Sequence, residues 1–314
     1  MQLRERKKVN FLTIEQQINY IKYNLQDSKN KELIMHTEIA LKIFSAVRSG
    51  TIKTNAHFFK EYCSIDKINS IKINTINDEI FLKENEWNLV CFFDDNFPKF
   101  NLRLKNSEKP FLFAYKGDIN LLSYKNNIAV VGTTTTTLEI INREKNIVKE
   151  LINNEFCIVS GLAIGCDTIA HKECLNNNGK TIAFLPTTLD NIYPKENKNL
   201  ADDIVKNGGL IITEYITETN NKYENIKRFI DRDRLQALFS KVVILVASNS
   251  QGNGDSGSRH AMNKAKEYGK EQFVMLDQQD KGNPLFQLNE EYINLGAKVL
   301  TKQLIKEMKS EITY

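Results

Sequence analysis

The feature that most constrains the fold is a regular alternation of short apolar runs and helical segments from residue 127 onward. The apolar, β-branched runs are predicted as strands at 128–131, 156–159, 181–185, 210–213, 242–247 and 272–276. Helices are predicted between them at 137–153, 165–177, 198–206, 225–239 and 257–268. Because strands that alternate with helices form right-handed βαβ units, we predict an α/β protein with a mostly parallel sheet and helices on both faces.

The chain ahead of this alternation has a different pattern. Ile14, Ile18, Ile21 and Leu25 recur at helical spacing, and the stretch from about 12 to 75 has almost no glycine. Two further strands are predicted downstream of it, at 87–93 and 111–115. The predicted organisation is a small helical N-terminal domain, a joining region and an α/β domain, at 1–75, 76–126 and 127–314.

Composition excludes some classes of protein and leaves others open. The formal net charge of +4 is too mild to argue for nucleic acid without a local basic cluster. No stretch approaches the roughly 18 apolar residues of a membrane span. The five cysteines are scattered and form no Cys-x-x-Cys pair, and only four histidines are present. We therefore expect free thiols, no metal site and a cytoplasmic protein.

Small and hydroxyl residues follow three of the predicted strands. Gly132-Thr133 follows the first strand, Ser160-Gly161 the second, and Ser256-Gly257 the fifth. Ahead of helix N-termini such residues suit a phosphate, although a single loop of this kind is more often an ordinary strand-to-helix turn. Three at one end of the sheet favour a phosphate-bearing ligand. The loops match neither Gly-x-Gly-x-x-Gly nor a Walker motif, so no NAD or ATP cofactor is expected.

Asp167 and His171 lie four residues apart on one predicted helix. They suit an acid/base pair, but no serine or cysteine nucleophile is evidently paired with them. We favour the structural alternative, in which the carboxylate bonds to the imidazole, and expect a protein that is not an enzyme.

Basic residues concentrate around the predicted helix at 225–239, interleaved with aromatic ones. The cluster consists of Lys227, Arg228, Arg232 and Arg234 with Tyr223 and Phe229, and Lys180 precedes the third strand. Such a cluster is either a solvated helix face or a surface that contacts phosphates and stacks on bases. An extended or turn backbone at Arg232 and Arg234 would point both guanidinium groups into one pocket. The alternative is that buried carboxylates pair with them and tie the sheet to the helical domain.

Taken together, these segments resemble the DprA/Smf family of DNA-processing proteins over roughly residues 95 to 305. The resemblance is strongest in the segment from Ile158 to His171, which follows the family signature Ser-Gly-Leu-Ala-x-Gly-x-Asp-x-x-Ala-His. It extends over Tyr115–Asp118, 128–132, Gly179–Ala183, Leu189-Asp190, Tyr193-Pro194, Thr213–Tyr215, Phe229–Leu235, Ser256–Ser258 and Leu295–Ala297.

The resemblance implies an extended Rossmann-like fold, cooperative binding of single-stranded DNA, homodimers, and loading of the RecA recombinase during transformation. It also implies that the N-terminal helices are similar to the SAM-like extension of some members. The phosphate-binding or nucleic-acid-binding residues are then Gly132, Thr133, Ser160, Gly161, Lys180, Arg232, Arg234, Ser256 and Gly257.

The sequence departs from the family pattern at the expected site. Gly132-Thr133-Thr134 stands where the family usually has Gly-Ser-Arg, and Asp233 stands between the two arginines where it usually has Asn. Val246 replaces a common acidic residue. Two alternatives therefore stay open: a nucleotide-binding sensor of the same superfamily, and a phosphoribohydrolase of the LOG type. The second ranks last because its Pro-Gly-Gly-x-Gly-Thr loop is absent.

Overall fold

The structure, a computed structural model, describes residues 28–100, 104–123, 125–219, 221–250, 252–253 and 256–310. The helical repeat that we predicted from residue 12 to about 25 lies outside the described residues. Within them, none of the helices is long and apolar enough to cross a membrane.

One sheet organises the fold, and its strands follow the order β1-β2-β6-β5-β4-β3-β7-β8-β9. The strands are β1 (Asn88–Cys91), β2 (Leu112–Gly117), β3 (Asn127–Val131), β4 (Cys157–Ser160), β5 (Thr181–Phe184), β6 (Leu210–Thr213), β7 (Val242–Leu245), β8 (Glu271–Val274) and β9 (Lys298–Val299). All pairs from β6 to β9 are parallel, whereas β1 and β2 extend the β6 edge in antiparallel pairing. The predicted α/β fold and mostly parallel sheet are confirmed.

Helices cover both faces of this sheet. Those of the N-terminal part are α1 (Ser28–Arg48), α2 (Asn55–His57), α3 (Ile65–Asn69) and α4 (Ile76–Glu84). The later ones are α5 (Leu138–Asn153), α6 (Cys166–Asn176), α7 (Lys198–Lys206), α8 (Lys222–Leu238), α9 (Ser256–Glu267), α10 (Gln287–Asn294) and α11 (Lys302–Ser310). The helices α8, α9 and α10 bury their apolar residues against one face. The other face is covered by α5, α6 and α11, and by α7 with the N-terminal helices.

The burial of the strands explains why they could be predicted from apolar runs in the sequence. In β4, Cys157 and Val159 point to one core and Ile158 to the other, and all are buried. Parallel strands with helices on both sides bury both faces, so they appear as continuous apolar runs. The short edge strand β9 is half polar and was not predicted.

The N-terminal helices pack onto the antiparallel side of the sheet. The rings of Phe44, Phe81 and Trp87 contact one another, and Trp87 Nε1 donates to Asp190 Oδ1 at 2.9 Å. Asn55 Nδ2 donates to Glu214 Oε1 at 3.2 Å, just beyond β6. These contacts fix the helical part beside the end of β6, next to the site described below.

Candidate nucleic-acid interface

The loops that follow β3 and β7 meet at the carboxyl end of the sheet. Thr133 N–H donates to Ala247 O at 2.8 Å, which joins the two loops. A Cβ on Gly132 would lie 2.6 Å from Cys166 Sγ, so the first residue of α6 requires glycine there. The chain adds β4, β5 and β6 on one side of β3 and β7 and β8 on the other. Open α/β sheets bind ligands at this kind of reversal.

The β4–α6 loop closes on a carboxylate from its own helix. Asp167 Oδ2 accepts hydrogen bonds from the N–H groups of Gly161 at 3.1 Å and Ala163 at 3.3 Å. Leu162 has φ of 62° and Gly165 has φ of 79°, which turns the backbone amides inward. We expected such amides to bind a phosphate. They hold Asp167 instead, so the family signature here builds a rigid loop.

Two hydroxyl side chains assigned to the site are also used inside the loops. Ser160 Oγ donates to Val130 O at 2.7 Å, and the residue is fully buried. Thr133 Oγ1 accepts from Thr135 N–H at 3.1 Å, and Thr133 is buried too. Both lie at the carboxyl end of the sheet, where they support the loops.

Arg232 reaches from α8 into this end of the sheet. Its Nη1 donates to the carbonyl oxygens of Gly161 and Phe184, the latter at 3.0 Å. A Cβ on Gly161 would collide with the guanidinium group, so glycine is required for this approach. Among the described residues, no atom accepts a hydrogen bond from Nη2 of Arg232. Arg232 is therefore anchored through one nitrogen while another remains available.

Asp233 lies between Arg232 and the first turn of α9. Its Oδ1 is 3.0 Å from Arg232 Nε and accepts from Gln236 Nε2 at 3.0 Å. Its Oδ2 lies 3.2 Å from the position of a Cβ on Gly257, which places Gly257 at the site. Ser256 begins α9, but its side chain lies outside the described residues. Burial raises the pKa of Asp233 to about 7.

Two of the predicted site residues are not brought to this site. Lys180 precedes β5 at the amino end of the sheet, and its Nζ donates to Asn207 O at 2.8 Å. Arg234 pairs with Glu214 through Nη2 at 2.7 Å and donates from Nε to Glu108 O at 3.2 Å. The extended or turn backbone that would point Arg232 and Arg234 the same way is not formed, because both lie inside α8. In a helix, residues two apart diverge by about 200°.

The acid/base interpretation of Asp167 and His171 fails on geometry. His171 Nδ1 lies 2.7 Å from Thr181 Oγ1, and Asp167 bonds to loop amides rather than to the imidazole. Burial, with help from Arg232, lowers the pKa of His171 to about 3. The imidazole is therefore a neutral core group, and the expected bond between these two side chains is not formed.

The first half of α8 and the loop after β5 form a partly exposed apolar surface, in which Phe229 lies one helical turn ahead of Arg232. We call Tyr193, Tyr223, Ile226 and Phe229 the aromatic surface. The rings of Tyr193 and Phe229 meet edge to face with centroids 5.1 Å apart, and Tyr223 is 85% exposed. The exposed Lys227 lies 3.7 Å from Asp231, and both line the cavity at the junction with the N-terminal helices, on the Arg234 side of α8. In the sequence, Tyr193 was noted only as part of the Tyr193-Pro194 motif of the family resemblance, and it was not assigned to the site.

Arg228 belongs to the fold rather than to that surface. Its Nη1 donates to Thr217 O at 2.7 Å, its Nη2 to Glu224 Oε1 at 2.8 Å, and its guanidinium lies over the Tyr215 ring. The predicted basic cluster thus separates into a buried structural part and an exposed part.

The fold defines a Rossmann-like α/β protein, and the switch in its strand order is the place where open α/β sheets bind ligands. The family model described as DNA recombination-mediator protein A matches residues 88–310. The chain therefore belongs to this family, which includes the DprA and Smf proteins, as the motifs had indicated.

Individual relatives agree with this assignment. The chain is 36% identical over 169 residues to DNA processing protein DprA of Streptococcus pneumoniae, covering 54% of this chain and 56% of that protein. It is 30% identical over 193 residues to protein Smf of Borreliella burgdorferi, covering 60% and 58%. The aligned part thus spans little more than half the length of these relatives.

Solved structures give the same family. DprA from Streptococcus pneumoniae superposes with a TM-score of 0.61 at 27% identity, covering 83% of this chain and 90% of that one. DNA processing protein A from Helicobacter pylori, whose structure describes a single-stranded DNA binding mode, superposes with a TM-score of 0.59 at 29% identity. That match covers 72% of this chain and 97% of that one.

Proposed function

We propose that this chain binds single-stranded DNA at the carboxyl end of its sheet and, without catalysing a reaction, delivers the strand to a RecA-type recombinase. The observation that carries the proposal is the family match over residues 88–310. It is supported by the similarity to the Helicobacter pylori protein, which is described as binding single-stranded DNA. We place the activity in the cytoplasm, in DNA uptake and recombination, and expect a homodimer.

Within the site, Arg232 receives the phosphate and the aromatic surface receives the bases. Arg232 Nη1 is held by backbone carbonyls, which orients the free side of the guanidinium without further loss of side-chain entropy. Tyr193, Tyr223 and Phe229 offer rings for stacking, and every base has a face to stack. Lys227, exposed on the junction side of the same helix, adds a positive charge near the first turns of α8.

The test is fluorescence anisotropy with a labelled oligo-dT at several salt concentrations. Binding that neutralises phosphates weakens with salt by roughly 0.7 log units per contact for each tenfold change in salt. Lys227→Ala should weaken binding and make this slope shallower by about one contact. Lys180→Ala is the matched control, because it removes an exposed lysine at the opposite end of the sheet. An equal loss for both variants would contradict the location.

Removing Arg232 tests the anchor itself. Arg232→Ala should weaken binding by about 1–3 kcal/mol, and Arg232→Lys should lose part of that, because lysine cannot form a planar fork. Thermal unfolding of the same preparations separates binding from folding. Lost stability with intact binding would remove Arg232 from the site.

The same titrations separate the two remaining function classes. A sensor would bind a mononucleotide tightly and oligo-dT not at all, even at low salt. A hydrolase would release product from nucleotides or DNA, and that product would disappear with Asp167→Asn or Glu214→Gln. We expect neither outcome, because the loop amides are occupied by Asp167 and Glu214 is paired with Arg234.

A further inference from the structure

One buried guanidinium group at this end of the sheet is shared by two buried carboxylates. Arg232 on α8 lies 3.0 Å from Asp233 through Nε. Asp167 on α6 interacts electrostatically with the same guanidinium and with Asp233. Asp167, Arg232 and Asp233 are each less than a tenth exposed. With both carboxylates ionised, these three residues, the Arg232 cluster, carry a net charge of −1 at the place where we expect a phosphate.

The two carboxylates are not equally able to hold their charge. Asp167 accepts two backbone N–H groups, from Gly161 and Ala163, which stabilise its ionised form. Asp233 has the side-chain amide of Gln236 and the shared Arg232. A proton entering the cluster therefore goes first to Asp233.

Asp233 also faces the part of the site that a phosphate would approach. Its Oδ2 points at the first turn of α9, 3.2 Å from the position of a Cβ on Gly257. A helix N-terminus favours an anion, and here the anion is supplied by the protein itself. The ionised carboxylate thus competes with a phosphate for the helix end and for Arg232.

We propose that Asp233 determines the affinity of this site for the phosphates of single-stranded DNA, weakening binding when ionised and permitting it when protonated. The proposal rests on the proposed function. Binding takes up a proton from solvent onto an oxygen of Asp233, and the cluster changes from net −1 to neutral. By linkage, the strand raises the affinity of Asp233 for the proton by the factor by which the proton raises the affinity for the strand.

Burial and the charges around Asp233 together cause it to gain or lose its proton near neutral pH. Burial raises its pKa to about 7, Arg232 opposes the rise, and Asp167 and Asp231 add to it. On α9, His260 interacts with Asp231 rather than Asp233, and burial lowers its pKa from 6.5. It is therefore uncharged above that pH. His171, beneath Arg232, is also neutral there because its pKa is about 3.

The experiment measures oligo-dT affinity by anisotropy from pH 6 to pH 8.5 at fixed ionic strength. The wild-type protein should bind about tenfold more tightly at the acid end, within the usual range of coupling between two binding events. Asp233→Asn should bind tightly at both ends with a flat profile. Asp231→Asn is the matched control, since it removes a neighbouring carboxylate that does not contact Arg232. It should keep the tenfold change in affinity, with the midpoint moved slightly to lower pH because Asp231 contributes weakly to the raised pKa of Asp233.

Calorimetric titration in two buffers of different ionisation enthalpy adds a second readout at pH 7.5. The wild-type protein should take up a fraction of a proton on binding, and Asp233→Asn none. If wild type and Asp233→Asn bind with the same pH profile and the same proton uptake, the role of Asp233 is overturned while the proposed function stands. If neither binds oligo-dT at any pH in low salt, the proposed function itself is overturned.

Discussion

The two buried arginines of helix α8 serve different regions of the molecule. Arg234 faces the junction with the N-terminal helices, where Glu214, Asp231 and Glu108 use all three of its nitrogens. Arg232 faces the carboxyl end of the sheet, where one nitrogen bonds to carbonyls and another bonds to none of the described residues. Burial alone therefore does not distinguish a structural arginine from one that can bind a ligand; the count of unused donors does.

The largest expected effect is on the junction side. Arg234→Ala leaves the buried Glu214 without its cationic partner and should destabilise the fold by roughly 3–5 kcal/mol, with oligo-dT affinity unchanged for the folded fraction. Denaturant unfolding and anisotropy on one preparation measure both. Adding Glu214→Gln should recover part of the loss, since it removes the unpaired charge. Lost affinity at unchanged stability would assign Arg234 to the site instead.

On the side of the molecule that carries the candidate site, acid should lower the free energy of unfolding through His171. Its pKa is about 3 in the fold against 6.5 unfolded, so its contribution is complete above pH 6.5. That contribution is lost as the pH falls from 6.5 toward 3, by up to about 1.4 kcal/mol per pH unit. Unfolding of the wild type and His171→Asn across this range measures the slope. The variant starts less stable at pH 7, but its slope should be shallower. Equal slopes would show that His171 is not responsible.

A third experiment displaces Arg232 without removing its charge. Gly161→Ala introduces a Cβ where the guanidinium lies, so oligo-dT binding should weaken by about 1–3 kcal/mol. Gly179→Ala is the steric control, since its Cβ would meet Cys174 Sγ at 2.8 Å at the amino end of the sheet. It should lower stability and leave affinity intact. If Gly161→Ala and Gly179→Ala bind oligo-dT with similar affinity, the two ends of the sheet do not differ in DNA binding, and the account is contradicted.

The smallest effect concerns the aromatic surface. Tyr223 is 85% exposed and lies in the first turn of α8, so its replacement costs the fold little. Tyr223→Ala should weaken oligo-dT binding by about 1 kcal/mol through lost stacking, and Tyr223→Phe should keep most of the affinity. Equal losses for both would indicate a role for the hydroxyl group, and no loss for either would remove Tyr223 from the path of the strand.

The sheet could be predicted from the sequence because its strands are buried on both faces. The predicted strand at 210–213 and helix at 198–206 coincide with β6 and α7, and most other boundaries differ by one to three residues. Two-residue β9 could not be found, because a short edge strand pairs through the backbone and needs no apolar pattern.

The site could be predicted only in part, because its side chains are positioned by tertiary contacts. Gly132 and Gly161 were found from their place after strands, and the close approach of Cys166 and Arg232 explains them. Lys180 was assigned from the family resemblance, although a residue ahead of a parallel strand lies at the amino end of the sheet, opposite the loops that follow the strands. The roles of Arg232 and Arg234 were merged by considering an extended backbone there, although the predicted helix at 225–239 already contained both residues, and inside a helix their side chains diverge.

The most direct test of the central claim is to locate the strand on the protein. Oligo-dT carrying 5-bromouracil, crosslinked by ultraviolet light, would be mapped by mass spectrometry on the intact chain. The account predicts crosslinks within 186–195 and 222–230, which include Tyr193, Tyr223 and Phe229. Crosslinks at the amino end of the sheet, around Lys180 and Asn207, with none on these aromatic residues, would contradict it.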